Sequence, residues 1–353
     1  MARTSTIGVD IGTSAVRAAE MSFGSGGPGK SDPTLTAFAE VPLPIGALQD
    51  GEVVETAVVA DAIKKLWDKG KFSAKEVVIG VGNQRVIVRE ADLPWQPLNQ
   101  LKKTLPFHAE QLLPTGLGDV VVDFVPTGER TTEDSRLVSG LFVAAIREMV
   151  TSNALAVERG GLTPLMVDFT PLAIQRALSR GELGRYTVAF VDVGARISNL
   201  VISERGVPRF VRVLPQGGQD ATEALASAMN IAPNDAERMK RRVGIGHQGQ
   251  SESAQVSEAL MAVTSTLVNA IRSTIQYYGT KGLGAPIDLI VLTGGGTKLD
   301  GFGQFLSSAT RLPVQLGNPF ERVKVAKGVN LESIRGNENV ATVALGLAYG
   351  VAE

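Results

Sequence analysis

The chain has 353 residues, 44% of them hydrophobic but only 5% aromatic, so it is too long for one small core and must build its interiors from aliphatic side chains, as sheets covered by helices do. The formal net charge of −1 speaks against a general nucleic-acid binder, and the lack of cysteine excludes disulfides and thiolate metal sites. Met1-Ala2-Arg3-Thr4-Ser5-Thr6 runs straight into a strand pattern containing Asp10, unlike a signal peptide, and no apolar run approaches the ~20 residues of a membrane span; a cytoplasmic, soluble α/β protein is the expectation.

Thr6 to Asp10 alternates like a strand, turns at Gly12-Thr13-Ser14, and returns as a second strand from Ala15 to Met21. Thr34 to Val41 reads as a third strand, Thr56 to Lys69 as a helix with Val59, Ile63 and Leu66 on one face, and Lys75 to Val81 as a buried strand. The texture then changes. Val86 to Leu93, a helix Gln96 to Gln111, Val120 to Pro126 and Leu137 to Ala145 give β-α-β-β, and the helix Arg147 to Gly160 leads back to the main body. Residues 86–150 are therefore read as a small inserted domain. Tyr186 to Val191 and Ile197 to Ile202 form another hairpin, followed by a mainly helical stretch over about 220–280. Asp288 to Thr293 is a buried strand ending in Gly294-Gly295-Gly296. The last helix, Val340 to Tyr349, is rich in Ala and Gly and suited to close backbone approach.

Two segments repeat. Val9-Asp10-Ile11-Gly12 and Val191-Asp192-Val193-Gly194 each follow an apolar strand and precede a turn and a second strand. One such hairpin is an ordinary turn with a polar strand-end Asp; the pair points to two similar halves facing one another. Glycine in a hairpin turn lets backbone N–H groups approach phosphate oxygens. A carboxylate beside it suits Mg²⁺, held mostly through water, which then bridges to phosphate. Asp10 and Asp192 are the expected metal residues. Thr13 and Ser14 add hydroxyl donors. Arg17 is placed either to reach a phosphate or to sit as a solvated strand residue. The triple glycine 294–296, directly after a buried strand, allows close approach of a sugar and α-phosphate.

Gly24-Ser25-Gly26-Gly27-Pro28-Gly29-Lys30-Ser31 matches the P-loop pattern letter for letter, but a strand-like run follows where that motif needs a helix, so it is read as a hairpin loop. His108 and His247 are isolated and indicate no metal site.

VDIGTSAVRA, VDVGARISNL and VLTGGG resemble the phosphate-1, phosphate-2 and adenosine motifs of the actin-like ATPase superfamily, which includes actin, DnaK-type chaperones, sugar kinases and the division protein FtsA. The insert narrows this. Leu93-Pro94, Leu101 with Leu105, Ala109-Glu110-Gln111-Leu112-Leu113-Pro114 and Val122-Asp123-Phe124, then Val143-Ala144-Ala145, Arg147-Glu148 and Gly161-Leu162-Thr163-Pro164, resemble the PilM family of type IV pilus assembly. The resemblance covers nearly the whole chain. It implies an actin-like fold of two duplicated ribonuclease H-like halves with a β-α-β-β insert. The first half would comprise residues 1–85, 151–185 and 338–353, the second 186–337.

The resemblance also implies roles. Asp10, Gly12, Thr13 and Ser14 would line phosphate-1; Asp192, Gly194 and Ala195 would line phosphate-2. Gly217 and Gly218, with Asp220, match the glycine pair that follows. Glu237 and Lys240 match the helix contacting ribose and adenine. Gly294, Gly295 and Gly296 would hold the adenosine, with the Lys298 stem against the base. Asp168 falls where hydrolysing relatives position the attacking water. Two departures favour ATP binding with slow or absent turnover: Arg196, Ile197 and Ser198 replace the usual Thr or Gly after phosphate-2, and Asp168 is shorter than Gln or Glu.

The function implied is a scaffold that binds ATP and Mg²⁺ and grips the N-terminal cytoplasmic segment of a PilN-like inner-membrane protein in a groove between insert and main body. The insert's surface would be open to pilus motor ATPases or to self-association. Nucleic acid is not an expected partner, and membrane contact is expected only through the partner, since the sequence stops at Glu353 without an FtsA-type amphipathic anchor. The alternatives are an FtsA-type filament former and a small-molecule kinase with Asp168 as base. Deleting residues 86–150 is expected to abolish partner binding and leave ATP binding largely intact.

Overall fold

The computed structural model describes residues 4–24, 31–113, 119–132, 135–246 and 252–350. β1 (Thr4–Ile11), β2 (Ala15–Phe23) and β3 (Thr34–Pro42) form an antiparallel meander that sets Asp10 opposite Arg17 and Arg17 opposite Glu40. β4 (Leu48–Gln49) and β5 (Glu52–Val53) form a small hairpin turning at Asp50-Gly51. α1 (Thr56–Gly70) and β6 (Glu76–Val81) follow, with β6 parallel to β1. The chain then leaves for the insert: β7 (Val86–Pro94), α2 (Leu98–Leu112), β8 (Val120–Thr131) and β9 (Arg136–Ile146), in the strand order β7-β9-β8. It returns through α3 (Arg147–Arg159), β10 (Thr163–Phe169) and α4 (Thr170–Leu178).

The second half repeats the first. β11 (Thr187–Val193), β12 (Ser198–Glu204) and β13 (Val207–Leu214) form the second meander. Three helices follow: α5 (Gly218–Met229), α6 (Pro233–Val243) and α7 (Glu252–Lys281). β14 (Leu289–Thr293), α8 (Phe302–Thr310) and β15 (Val314–Leu316) complete the unit, and β16 (Lys324–Val325) and α9 (Thr342–Tyr349) return to the first half. The strand order β13-β12-β11-β14-β15 matches β3-β2-β1-β6-β10, with the same parallel and antiparallel pairings.

Besides the short strands β4, β5, β15 and β16, four longer elements go beyond the sequence expectations, and each carries a weak signal. β10 has a register shift and Pro164 near its start, β13 carries Pro208 and two arginines, and α4 and α8 are nine residues each. Most of the Gly24–Ser31 segment and all of His247 lie outside the described residues; the segment joins two antiparallel strands.

Helices α1 and α3 cover the outer face of the first sheet through Ile63, Leu66, Ala156 and Val157; α7 and α8 cover that of the second through Leu267, Ile271 and Leu306. Between the sheets lie α4 and α9, where Ala173, Ile174, Val343 and Leu347 meet Val78, Val188 and Val291. The two helices cross so closely that a methyl on Gly346 would collide with the carbonyl of Ala173. This is the close approach that the small residues of the last helix permit.

The insert has its own core of Leu101, Leu105, Phe124 and Phe142, yet it is not a free appendage. The other face of its sheet, with Leu141, Val143 and Ala145, packs on Val201 and Val211 of the second half and on Phe169 and Leu172 of the first. Deleting residues 86–150 strips that apolar cover. The expected result is aggregation and a lowered thermal midpoint, read by light scattering during a melt; a monomeric variant with unchanged midpoint would contradict it.

Candidate functional site

The two repeated turns face one another across a cleft of about 1000 Å³. They share one hydrogen bond: Gly12 N–H donates to the Ala15 carbonyl at 3.1 Å, and Gly194 N–H to the Ile197 carbonyl at 3.0 Å. Each turn holds its aspartate at the end of the central strand, β1 or β11, on the cleft wall. Asp10, Gly12, Thr13, Ser14 and Arg17 come to this cleft from the first half. Asp192, Gly194, Ala195, Gly217, Gly218, Glu237, Lys240, Gly294, Gly295, Gly296 and Lys298 come from the second. Fold duplication thus brings together residues almost three hundred positions apart in the chain.

Burial governs the chemistry of the two carboxylates. Desolvation pushes Asp10 up to about 6, against the pull of Arg17, with Glu40 adding to the rise. Desolvation and then the charge of Asp10 push Asp192 up to about 7, against a hydrogen bond from Asn199 and the charge of Arg17. Arg17 is neither a solvated strand residue nor a free phosphate ligand. Its Nε donates to Glu40 at 2.5 Å, and its Nη1 lies 3.8 Å from Asp10. Three carboxylates and one guanidinium leave this end of the cleft net negative. A polyphosphate would need countercharge here, and Asp10 and Asp192 are the residues that would hold a divalent cation. Among the described residues no group of three or more acidic, His or Cys side chains forms a ligand cage.

The opposite wall is braced from within. Gly218 N–H donates to the Gly194 carbonyl at 2.9 Å and Gln219 N–H to the Ala195 carbonyl at 2.8 Å, so the glycine pair fastens the start of α5 to the second turn. The Asp220 carboxylate accepts from Gly217 N–H at 2.8 Å. Lys240 donates to the Gly218 carbonyl, to Thr222 and to Glu237 at 2.8, 2.7 and 2.6 Å. Burial works against ionisation of Glu237, but hydrogen bonds from Lys240, Thr222 and Arg241 outweigh it and bring it to about 2. Lys240 therefore ties α5 to α6, and Glu237 stays charged beside it.

The triple-glycine turn lies under Asp192. Gly294 has φ +84°, and a methyl on it would strike the Asp192 carboxylate and the Val193 carbonyl, so only glycine fits. Asn339, just before α9, holds this turn by donating to the Gly294 carbonyl at 3.1 Å and to Thr297 at 2.9 Å. Lys298 stands exposed at the rim.

Asp168 is elsewhere. It does not line the cleft; its carboxylate is ion-paired to Arg176, which also donates to the Gly346 carbonyl at 3.3 Å. Alternation along β10 turns it toward α4 and α9, and the residue of this motif that reaches the cleft is Thr170, at the first position of α4. The departures at the second turn also have places. Arg196 pairs with Glu223 and Asp220 on α5, Ser198 donates to the Gln216 carbonyl at 2.7 Å, and Ile197 lines the cleft. Sequence reasoning did not single out Glu40, Asn199, Thr170 or Asn339. Glu40 and Asn199 are legible only once the strand register places them across from Arg17 and Asp192.

The family model described as type IV pilus assembly protein PilM matches residues 8–350. Among solved structures, the PilM-PilN type IV pilus biogenesis complex superposes over 100% of both chains with 29% identity and a TM-score of 0.83. MreB 5 of Spiroplasma citri bound to AMPPNP covers 98% of this chain and 95% of its own, with 12% identity and a TM-score of 0.54, a likeness of fold alone. The cell division protein FtsA of Bacillus subtilis (strain 168) is 19% identical over 283 residues, 73% of this chain and 62% of its own length. FtsA of Neisseria meningitidis is 25% identical over 231 residues, 58% of this chain and 56% of its own. The chain thus spans about three-fifths of the length of these curated relatives. The architecture is the actin-like ATPase fold.

Proposed function

Because the chain belongs to the PilM family of type IV pilus assembly proteins, we propose that it is an ATP-binding scaffold of that machinery, held in one relation of its halves by nucleotide. The observation that carries the nucleotide reading is the pair of matching turns, each presenting an aspartate, Asp10 half-buried and Asp192 buried, to one cleft floored by three glycines. The two turns would hold the phosphates of ATP, Gly294 to Gly296 its adenosine and Glu237 its ribose. Asp10 and Asp192 would hold Mg²⁺, which would supply countercharge to the phosphates. Turnover is slow: the second turn offers no free hydroxyl, since Ser198 is bound to Gln216 and Arg196 to α5, and Asp168 is committed to Arg176. That same pairing leaves the kinase reading without its base.

The partner is the N-terminal cytoplasmic segment of a PilN-like membrane protein, consistent with the related PilM-PilN complex. Among the described residues no helix is long and apolar enough to cross a membrane, so the partner supplies the membrane contact in this reading. Motor ATPases and further copies of the chain are proposed to meet the insert. A fluorescent peptide of the partner's N-terminal segment should bind the Mg-ATP form saturably by anisotropy; no binding with or without nucleotide would sink the partner assignment. Sedimentation with Mg-ATP distinguishes the FtsA-type filament alternative, which requires a pelleting polymer.

A further inference from the structure

The duplication sets two cross-strand pairs on opposite walls: Asp10 with Arg17, and Asp192 with Asn199. The pairs differ in one respect. Arg17 is bonded through Nε to Glu40 and ion-paired to Asp10, whereas the Asn199 amide is half engaged. Its Nδ2 donates to Asp192 Oδ2 at 3.4 Å, the orientation that Asp192 requires once a bound cation keeps it ionised, when it can only accept. Its Oδ1 is buried and has no hydrogen-bond partner, although the side chain lines the cleft and the residue is only 5% exposed. A buried acceptor without a donor is unfavourable, so it marks a place where a ligand brings a hydrogen.

Phosphate oxygens bring none at neutral pH. The charged groups around Asn199 are Asp192, beside it on the same wall, and on the opposite wall Asp10 and Arg17 with Glu40. The guanidinium, paired with Glu40 and Asp10, makes no hydrogen bond to Oδ1. A water on a divalent cation can supply the missing donor. A strongly hydrated cation keeps several waters, each a polarised donor, and needs few direct protein ligands. A larger cation such as Ca²⁺ takes six to eight oxygens, waters and phosphate oxygens among them, in a looser shell, so it gains less from one acceptor that orders a single water.

We propose that Asn199 is a positioning and selectivity residue, whose Oδ1 accepts a hydrogen bond from the hydration shell of the cation between Asp10 and Asp192. It thereby favours small, strongly hydrated cations such as Mg²⁺ over Ca²⁺. This rests on the nucleotide reading above, and extends it to the choice of metal.

The test is titration calorimetry of the full chain with a non-hydrolysable ATP analogue in Mg²⁺, in Ca²⁺ and in EDTA, for the wild type, Asn199→Leu and Asn199→Asp. Loss of an outer-shell partner costs about 10- to 100-fold in metal affinity. Asn199→Leu should weaken binding in Mg²⁺ by at least about 10-fold, leave the residual binding in EDTA unchanged, and reduce the preference for Mg²⁺ over Ca²⁺. Asn199→Asp, which keeps an acceptor at this position, should recover the affinity at saturating Mg²⁺. Wild-type affinity and metal preference in Asn199→Leu would overturn the assignment while leaving the nucleotide site standing. Failure of Asn199→Asp to recover binding would also overturn it, since that would trace the loss to shape and not to the acceptor. A wild type that binds no nucleotide in any condition removes the nucleotide reading, and this inference with it.

Discussion

Asp192→Asn should do two opposite things: weaken Mg-ATP binding by at least about 100-fold, and stabilise the protein free of ligand above neutral pH. Both effects follow from one cause. The carboxylate is buried and faces Asp10 across the cleft, and this raises it to about 7. In the folded, cation-free protein it binds a proton more tightly than in the unfolded chain, where it titrates near 3.8. The folded state therefore holds more protons between these values, and stability falls as pH rises through them. A rise of about three pKa units corresponds to roughly 4 kcal/mol at most, lost progressively up to about pH 7. For a chain of this size that is about 5 °C in thermal midpoint. The amide carries no such cost, so Asp192→Asn should melt later than wild type at pH 8 and within a degree or so of it at pH 4. Asp10→Asn should behave alike with a smaller stability gain, its carboxyl lying at about 6. Differential scanning fluorimetry across pH with calorimetric Mg-ATP titrations reads both quantities. A variant that keeps its affinity refutes the two-aspartate site. One that loses affinity without gaining stability refutes the electrostatic account.

Gly346→Val should be the most damaging single change outside the cleft. The added carbons would run into the backbone of α4 at Ala173, which cannot rotate aside. Overpacking of this kind costs about 1–3 kcal/mol and more where backbone must move. Here it separates the two helices lying between the halves, so a loss at the upper end or beyond is expected. Nucleotide affinity should fall as well, because α9 follows directly on Asn339, which holds the Gly294 turn. Gly279→Ala is the control: it lies in α7, a methyl there meets nothing within 4 Å, and helix propensity alone should stabilise by up to about 1 kcal/mol. Chemical denaturation separates these outcomes, and equal stability of Gly346→Val and wild type would show that the crossing tolerates slack.

The duplication was legible because it repeats a strongly patterned unit: apolar strand, Asp, Gly turn, strand. The insert was legible because its periodicity differs from that of its surroundings. What escaped depends on geometry that no local pattern carries. Glu40 is an ordinary acidic residue in a strand until the register sets it against Arg17. Asn199 is one of several polar residues after the second turn until the same logic sets it against Asp192. Asp168 shows the converse. The motif located the right strand, but alternation along it sends the carboxylate to Arg176 and presents Thr170 to the cleft instead.

The path of the chain carries a consequence for its synthesis. Four of the first sheet's strands, β1, β2, β3 and β6, are synthesised early, with α1 and α3 available for its outer face by about residue 160. On its other face α4 covers β6 by residue 178, but the surface of β1 and β2 stays bare much longer, because α9, which packs there through Ala344, Leu345 and Ala348, emerges last. The second half, whose strands and covering helices lie between residues 187 and 316, is complete before that helix leaves the ribosome. The half that is translated first is therefore finished second, and the nascent chain exposes an apolar sheet face for most of its elongation. A holding chaperone has a defined surface to cover during that interval, and the closing step of folding coincides with the formation of the Gly294 turn's last support.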